Sequence, residues 1–168
     1  GKEIALLLAK HGANIVLCDV LEETRETAKE IEALGVKALG LVKDITNLEA
    51  VNEMVSEVVE SFSTIDILVN NAGIYTKIDV TKISYLDWQN EWNETIKTNL
   101  MGPVNLSFLA AKQMIKTGGG KIINISSRGA FRGEPTSPYY GASKAGLNSF
   151  SQSMAKALAP HNIFVYVI

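Results

Sequence analysis

Cysteine is nearly missing: Cys18 is the only one in 168 residues, so neither a disulfide framework nor a cysteine-rich zinc site can form, and a reducing compartment is expected. Histidine is almost as scarce, and His11 and His161 do not make a metal centre. A surplus of one charge is lacking as well. The 16 basic and 18 acidic side chains leave a formal net charge of -2, without the cationic excess that binding to nucleic acid or anionic lipid usually needs. No apolar run is long enough to cross a bilayer, since Ile4 to Ala9 falls far short of the roughly 20 residues required. Glu3 precedes that run and no cleavable signal layout is visible, so the sequence reads as cytoplasmic.

What is present is a chain of 168 residues with 46% hydrophobic content, enough for one domain with a substantial core and too short for two of ordinary size. It starts on Gly1 with an immediate helical pattern and ends on the apolar run Ile163 to Ile168. We therefore expect residues 1–168 to be a single, incomplete domain, truncated at both ends.

Two kinds of segment alternate. Lys2 to His11 carries a helical stripe closed by Gly12, and Ile15 to Cys18 is apolar at every position, as in a parallel strand covered on both faces. Leu21 to Leu34 reads as a second helix ending at Gly35, Val36 to Val42 as a strand, Leu48 to Phe62 as an amphipathic helix, and Ile65 to Val69 as a strand. Helical sequence around Trp92 to Leu100 meets Gly102 and Pro103, which predicts a kink or restart before it continues through Met114. Gly118 to Gly120 forms a turn, Lys121 to Ser126 a strand, Pro138 to Leu158 a long helix, and Ile163 to Ile168 a last strand. About five strands with helical crossovers imply an α/β, doubly wound, Rossmann-like and mostly parallel sheet. Such sheets bind ligands beyond the carboxyl ends of their strands.

The chemistry-bearing residues lie at those ends. Tyr140 and Lys144 are four apart on one helix face, where the ammonium can stabilise a phenolate. Bringing a phenol from about 10 to near 7 takes about 4 kcal/mol, which a unit charge about 4 Å away supplies at an effective dielectric near 20. A lone pair of this kind is a weak signal. It gains weight from Ser127 thirteen positions earlier after a strand, from Asn70, Asn71, Ala72 and Gly73 after another, and from Asn99 ahead of the proline.

Together, NNAG at 70–73, TNLMG at 98–102, INISS at 123–127 and YGASKAG at 140–146 resemble the short-chain dehydrogenase/reductase family across essentially the whole chain. The overall look is similar to 3-oxoacyl-carrier-protein reductases. The resemblance implies an NAD(P)-dependent oxidoreductase of a small carbonyl or alcohol substrate. Tyr140 would be the general acid/base and Ser127 would hold the substrate oxygen. Lys144 would assist the phenol and bind the nicotinamide ribose, and Asn99 would anchor a water-linked proton path. Read locally, Ser127 is equally a turn residue, Asn99 can satisfy backbone at a helix break, and Tyr139 competes with Tyr140, although spacing to Lys144 favours Tyr140.

Asp19 ends the second strand of the family fold, where a carboxylate accepts from the adenosine ribose hydroxyls and repels a 2′-phosphate. With Val20 next to it rather than an arginine, NAD is expected over NADP, although an aspartate there can also cap a helix. The resemblance puts Asp44 and Ile45 at the adenine, and Asn70, Ala72 and Gly73 along the adenosine. Gly1 is the last glycine of a phosphate-cradling turn. The family's first strand, between those ending at Asp19 and Val69, and its final strand are absent from this sequence. A homo-dimer or homo-tetramer through the Trp92–Lys116 and Pro138–Leu158 helices is implied, and a non-catalytic assembly subunit is the other reading. Arg128, Phe131 and Arg132 are candidates for an anionic substrate group.

Overall fold

A computed structural model describes all 168 residues. The elements run α1 (Lys2–Lys10), β1 (Ile15–Asp19), α2 (Glu23–Glu32), β2 (Ala38–Val42), α3 (Leu48–Phe62), β3 (Ile67–Asn70), α4 (Tyr85–Ile96), α5 (Gly102–Thr117), β4 (Gly120–Asn124), α6 (Pro138–Leu158) and β5 (Ile163–Val167). Every strand pairing is parallel: β1 with β2, and β3 with β4 with β5. The fold is α/β with parallel strands flanked by helices, as the alternating pattern requires. No helix is long and apolar enough to cross a membrane.

Strand β1 shows why its run is apolar throughout. Ile15 and Leu17 pack with Ala5, Ala9 and Ile31 of α1 and α2, while Val16 and Cys18 pack with Val51, Met54 and Leu106 of α3 and α5. Successive side chains point to opposite faces, and both faces are covered. At Gly40 the helix α2 lies so close that a Cβ would stand 2.7 Å from Thr24 O; only glycine lets β2 accept it. A third cluster joins α5, α6, β4 and β5 through Met114, Ile122, Leu158 and Ile163.

The sheet is in two pieces. No ladder joins β1 to β3, and between them lies a cavity of about 680 Å³ lined by Val16, Leu17, Leu68 and Val69 among others. This gap is where the family's first strand is expected.

Three expectations are corrected. The chain does not restart at Pro103: Lys97–Met101 forms one π-turn that carries α4 into α5, and Pro103 occupies the first turn of α5, where no intrahelical N–H is needed. Helix α4 also begins earlier than expected, at Tyr85, because Ser84 Oγ caps it by accepting from Asp87 N at 3.1 Å. Gly118 (φ 95°) supplies the left-handed end of α5, but Gly120 already belongs to β4 rather than to the turn.

Candidate active site

Because β3 and β4 run parallel, the loops after Asn70 and Asn124 leave the same edge of the sheet, and α6 begins directly after the second loop. The π-turn delivers Asn99 to this edge, fully buried. Its amide pairs with one residue's backbone: Ile74 N donates to Oδ1 at 2.8 Å, and Nδ2 donates to Ile74 O at 2.9 Å. The second amide hydrogen goes to Ser143 Oγ at 3.3 Å, and Ser143 Oγ donates to Tyr140 O at 2.8 Å. Both donors of Asn99 are thus used within the chain, leaving acceptor capacity on Oδ1 for anything further.

Lys144 is buried, 4% exposed, with no carboxylate beside it. Nζ donates to Ile125 O at 2.8 Å and lies 5.9 Å from the centre of the Tyr140 ring. Burial pushes the ammonium below the usual lysine range, because a charged form out of water is disfavoured. Gly73 adjoins the same groups: a Cβ there would stand 3.4 Å from Asn99 Oδ1 and 3.5 Å from Lys144 Nζ. The glycine keeps both polar atoms uncovered on that side.

The two tyrosines separate cleanly. Tyr139 is fully buried, packs against Trp92 at 6.1 Å and donates its hydroxyl to Thr76 O at 3.0 Å. Burial, followed by the Glu91 carboxylate, raises its pKa. Tyr140 is half-buried, its ring edge-on to Tyr75 at 4.8 Å, and its hydroxyl has no partner within the chain. Ser127 Oγ accepts from Gly129 N at 3.1 Å, which opens a short 3-10 turn and leaves the hydroxyl hydrogen free to donate elsewhere. Gly129 O in turn touches the first turn of α6, 3.0 Å from where a Gly141 Cβ would stand.

The gap between β1 and β3 also has Gly1, Asp19, Ile45, Asn70 and Ala72 in its lining. Asp44 and Gly73 lie outside its lining. Gly1 begins α1 without a side-chain cap, so free backbone N–H groups face outward there. Asp19 is exposed, with Oδ1 accepting from Val20 N at 2.8 Å, which leaves its second oxygen open. Asp44 folds an exposed turn by accepting from Thr46 N, and Ile45 packs against Gly102. An anion at the helix start and a diol at Asp19 suit this chemistry, so the residues fit a dinucleotide.

Asn70 is placed differently from the expectation. Its side chain points into the sheet, 5% exposed, donating to Ser107 Oγ at 3.0 Å and to Asn124 Oδ1 at 2.7 Å, and its carbonyl accepts from Ile125 N at 3.0 Å. Arg132 is drawn to Glu134 at 3.7 Å, which weakens it as an anion receptor. Asn71 entered the sequence reading only as part of the NNAG run, and Tyr75 and Ser143 were given no role in it. Asn71 Nδ2 comes within 3.1 Å of where a Gly1 Cβ would stand, a proximity across 70 positions that no local pattern reveals.

A family model described as short chain dehydrogenase matches residues 1–168. The chain belongs to the short-chain dehydrogenase family. Over its full length it is 39% identical to 2-dehydro-3-deoxy-D-gluconate 5-dehydrogenase of Escherichia coli, covering 65% of that protein. It is 34% identical to a 3-oxoacyl-acyl-carrier-protein reductase of Thermotoga maritima, covering 67% of it. Among solved structures, an NAD+-bound xylitol dehydrogenase superposes on 99% of the chain with a TM-score of 0.91 at 32% identity, and the chain covers 64% of it. The chain therefore spans about two thirds of the length of these family members.

Proposed function

We propose that the full-length protein is a cytoplasmic oxidoreductase that transfers hydride between NAD(H) and a carbonyl or secondary-alcohol substrate, with Tyr140 as general acid/base. The observation that carries the reading is the Lys144 ammonium, buried without a counter-ion and 5.9 Å from the ring centre of Tyr140, whose hydroxyl, unlike that of Tyr139, is not spent on a hydrogen bond within the chain. When bound, the nicotinamide supplies or accepts the hydride. In the reducing direction the carbonyl carbon gains that electron pair, the C=O π bond breaks onto oxygen, and the Tyr140 hydroxyl gives that oxygen its proton. Lys144 then stabilises the phenolate left behind, and Ser127 donates to the substrate oxygen as charge develops. Asn99 holds the turn that carries Tyr140, through Ser143.

The dinucleotide would lie over Gly1 and Asp19, with Asn71 and Ala72 beside them and the backbone of Asn70 below. Asp19 favours NAD, since a second negative charge on the ribose would face its carboxylate. A 3-oxoacyl thioester with NADPH is the competing substrate pair: the name of the Thermotoga relative supports the thioester, and Asp19 opposes NADPH. A homo-oligomer is supported by Met101, which ends the π-turn, and Phe108 and Ile115 of α5, which are seven positions apart and 44%, 54% and 43% exposed.

The test is Tyr140→Phe in the full-length protein, assayed on a panel of ketones and alcohols with NAD and NADP side by side. Turnover is expected to fall by at least about a hundredfold while NADH binding, read by fluorescence, persists. Unchanged turnover removes Tyr140 as the acid.

A further inference from the structure

Tyr75 is half-exposed, at 45%, on the loop after β3, yet the backbone that carries it is anchored. The residue before it is held at both backbone groups by Asn99, at 2.8 and 2.9 Å. The residue after it, Thr76, gives its carbonyl to the Tyr139 hydroxyl at 3.0 Å. Two positions further, Ile78 N donates to Thr136 O at 2.8 Å, fastening the loop to the segment that leads into α6. Three anchors from three elements thus fix the backbone on either side of one aromatic residue. Its ring stands edge-on to Tyr140, with centroids 4.8 Å apart and planes at 89°, an orientation that the ring quadrupoles favour.

Such rigidity is unusual for an exposed loop side chain. The sheet gains little from it, since so much of the ring is left in water. What the arrangement does fix is the space beside the Tyr140 ring. A carbonyl oxygen that reaches the Tyr140 hydroxyl brings the two carbon substituents of the carbonyl alongside, and Tyr75 bounds that space on one side.

We infer that Tyr75 is a specificity-determining residue: its ring is a fixed wall that admits a slim, unbranched carbon substituent next to the reacting carbonyl and rejects a branched one. The inference rests on the acid/base reading of Tyr140 and deepens it by naming the substrate shape. Tyr75 takes no part in proton or hydride movement. Its effect is on which carbonyl compounds approach the phenol productively.

The test compares 2-butanone with 3,3-dimethyl-2-butanone, reduced by the full-length protein with NADH. The second ketone carries two additional methyl groups on the carbon beside the carbonyl. Tyr75→Ala is expected to raise kcat/KM for the branched ketone relative to the linear one by about tenfold or more, the scale on which pockets discriminate single carbon groups. Tyr75→Leu, which refills part of the space, is expected to give a smaller increase in the same direction, and it serves if the alanine variant is poorly folded. Tyr75→Phe keeps the ring and is expected to leave the ratio near that of the unaltered protein. NADH affinity, measured by fluorescence titration, is expected to stay within about twofold in all three, since a side-chain wall acts on substrate shape. A ratio that does not move in Tyr75→Ala and Tyr75→Leu overturns the inference, as does loss of NADH binding in them, which would make the ring a structural support. Tyr140→Phe run in parallel separates the two readings. If it keeps turnover, the acid/base assignment fails. If it loses turnover while the Tyr75 variants leave the ratio unmoved, only the specificity role fails.

Discussion

Asn99 and Ile74 are joined as two strands would be, the side-chain amide of one giving and taking a hydrogen bond with the backbone of the other at 2.9 and 2.8 Å. The orientation of the amide is fixed by this exchange, since only oxygen can accept from Ile74 N and only nitrogen can donate to Ile74 O. A single side chain therefore fastens the loop after β3 to the turn between α4 and α5. The π-turn that carries it widens the helix by one residue per turn, the kind of irregularity that recurs at functional sites.

Asn99→Ala removes both bonds and the contact with Ser143. We expect a loss of about 1–3 kcal/mol in stability to urea, together with faster amide exchange at Ile74. Asn99→Asp is the sharper probe. Its carboxylate can still accept from Ile74 N, but it opposes Ile74 O with negative charge, so it should be no more stable than the alanine variant. An aspartate variant as stable as the unaltered protein would show that the donation to Ile74 O contributes nothing.

Lys144 gives a pH dependence whose sign can be worked out. Burial lowers its pKa in the folded state below 10.5. Well below the folded value the ammonium is charged in both states, and the cost of burying it is fully present. As pH rises through the lowered folded value toward 10.5, the folded state loses the proton first and the unfolded state binds more protons, so stability rises across that window. Thermal unfolding of the unaltered protein and of Lys144→Met at neutral pH and near pH 10 should show the difference between them shifting in favour of the unaltered protein at the higher pH. A difference independent of pH would mean that Lys144 is not desolvated.

Much of the fold was legible in the sequence, and the exceptions have physical causes. Helices α3 and α6 fall on the residues expected, the first because Val51, Met54 and Val55 mark a clear buried stripe between the Asn47 cap and the left-handed Ser63, the second because Pro138 can only begin a helix. Helix α4 was seen late because Tyr85 and Leu86 are 78% and 70% exposed and contribute no stripe; Ser84 and Asp87 carried the signal. The π-turn had none, since an extra residue per turn is imposed by where Asn99 must reach. Within the candidate site, Tyr140 and Lys144 were readable because they share one helix face. The inward turn of Asn70 was readable in principle, as it lies two positions from Leu68 on the same side of β3. The meeting of Tyr75 with Tyr140 was not, being made by the loop after β3 and the first turn of α6, far apart in the chain.

Asp19 should govern cofactor choice. Its open carboxylate oxygen at the end of β1 suits a ribose diol, and charge-assisted hydrogen bonds of this kind contribute about 1.5–3 kcal/mol. Asp19→Ala is expected to weaken NADH binding about tenfold to a hundredfold and NADPH binding little or not at all, in parallel fluorescence titrations of the full-length protein. Equal losses for both cofactors would remove Asp19 as the discriminator.

A buried polar chain crosses the sheet beneath the candidate site. Ser107 of α5, Asn70 of β3, Asn124 of β4 and Ser151 of α6 are linked at 3.0, 2.7 and 2.7 Å, and Ser151 ends the chain on Leu147 O at 2.6 Å. Asn70 Oδ1 has no partner, so the network is incomplete at one atom and sensitive to further loss. Asn124→Leu strands an amide hydrogen of Asn70 in the core and should cost about 1–3 kcal/mol. Adding Asn70→Leu removes that orphan together with the unpartnered Oδ1, while Ser151 keeps Leu147 O. The two leucines should therefore cost less together than the sum of their separate effects, by about 0.5–3 kcal/mol in a double-mutant cycle of urea unfolding. Strict additivity would mean that the two amides do not act on one another, and that the 2.7 Å contact between β3 and β4 contributes geometry without energy.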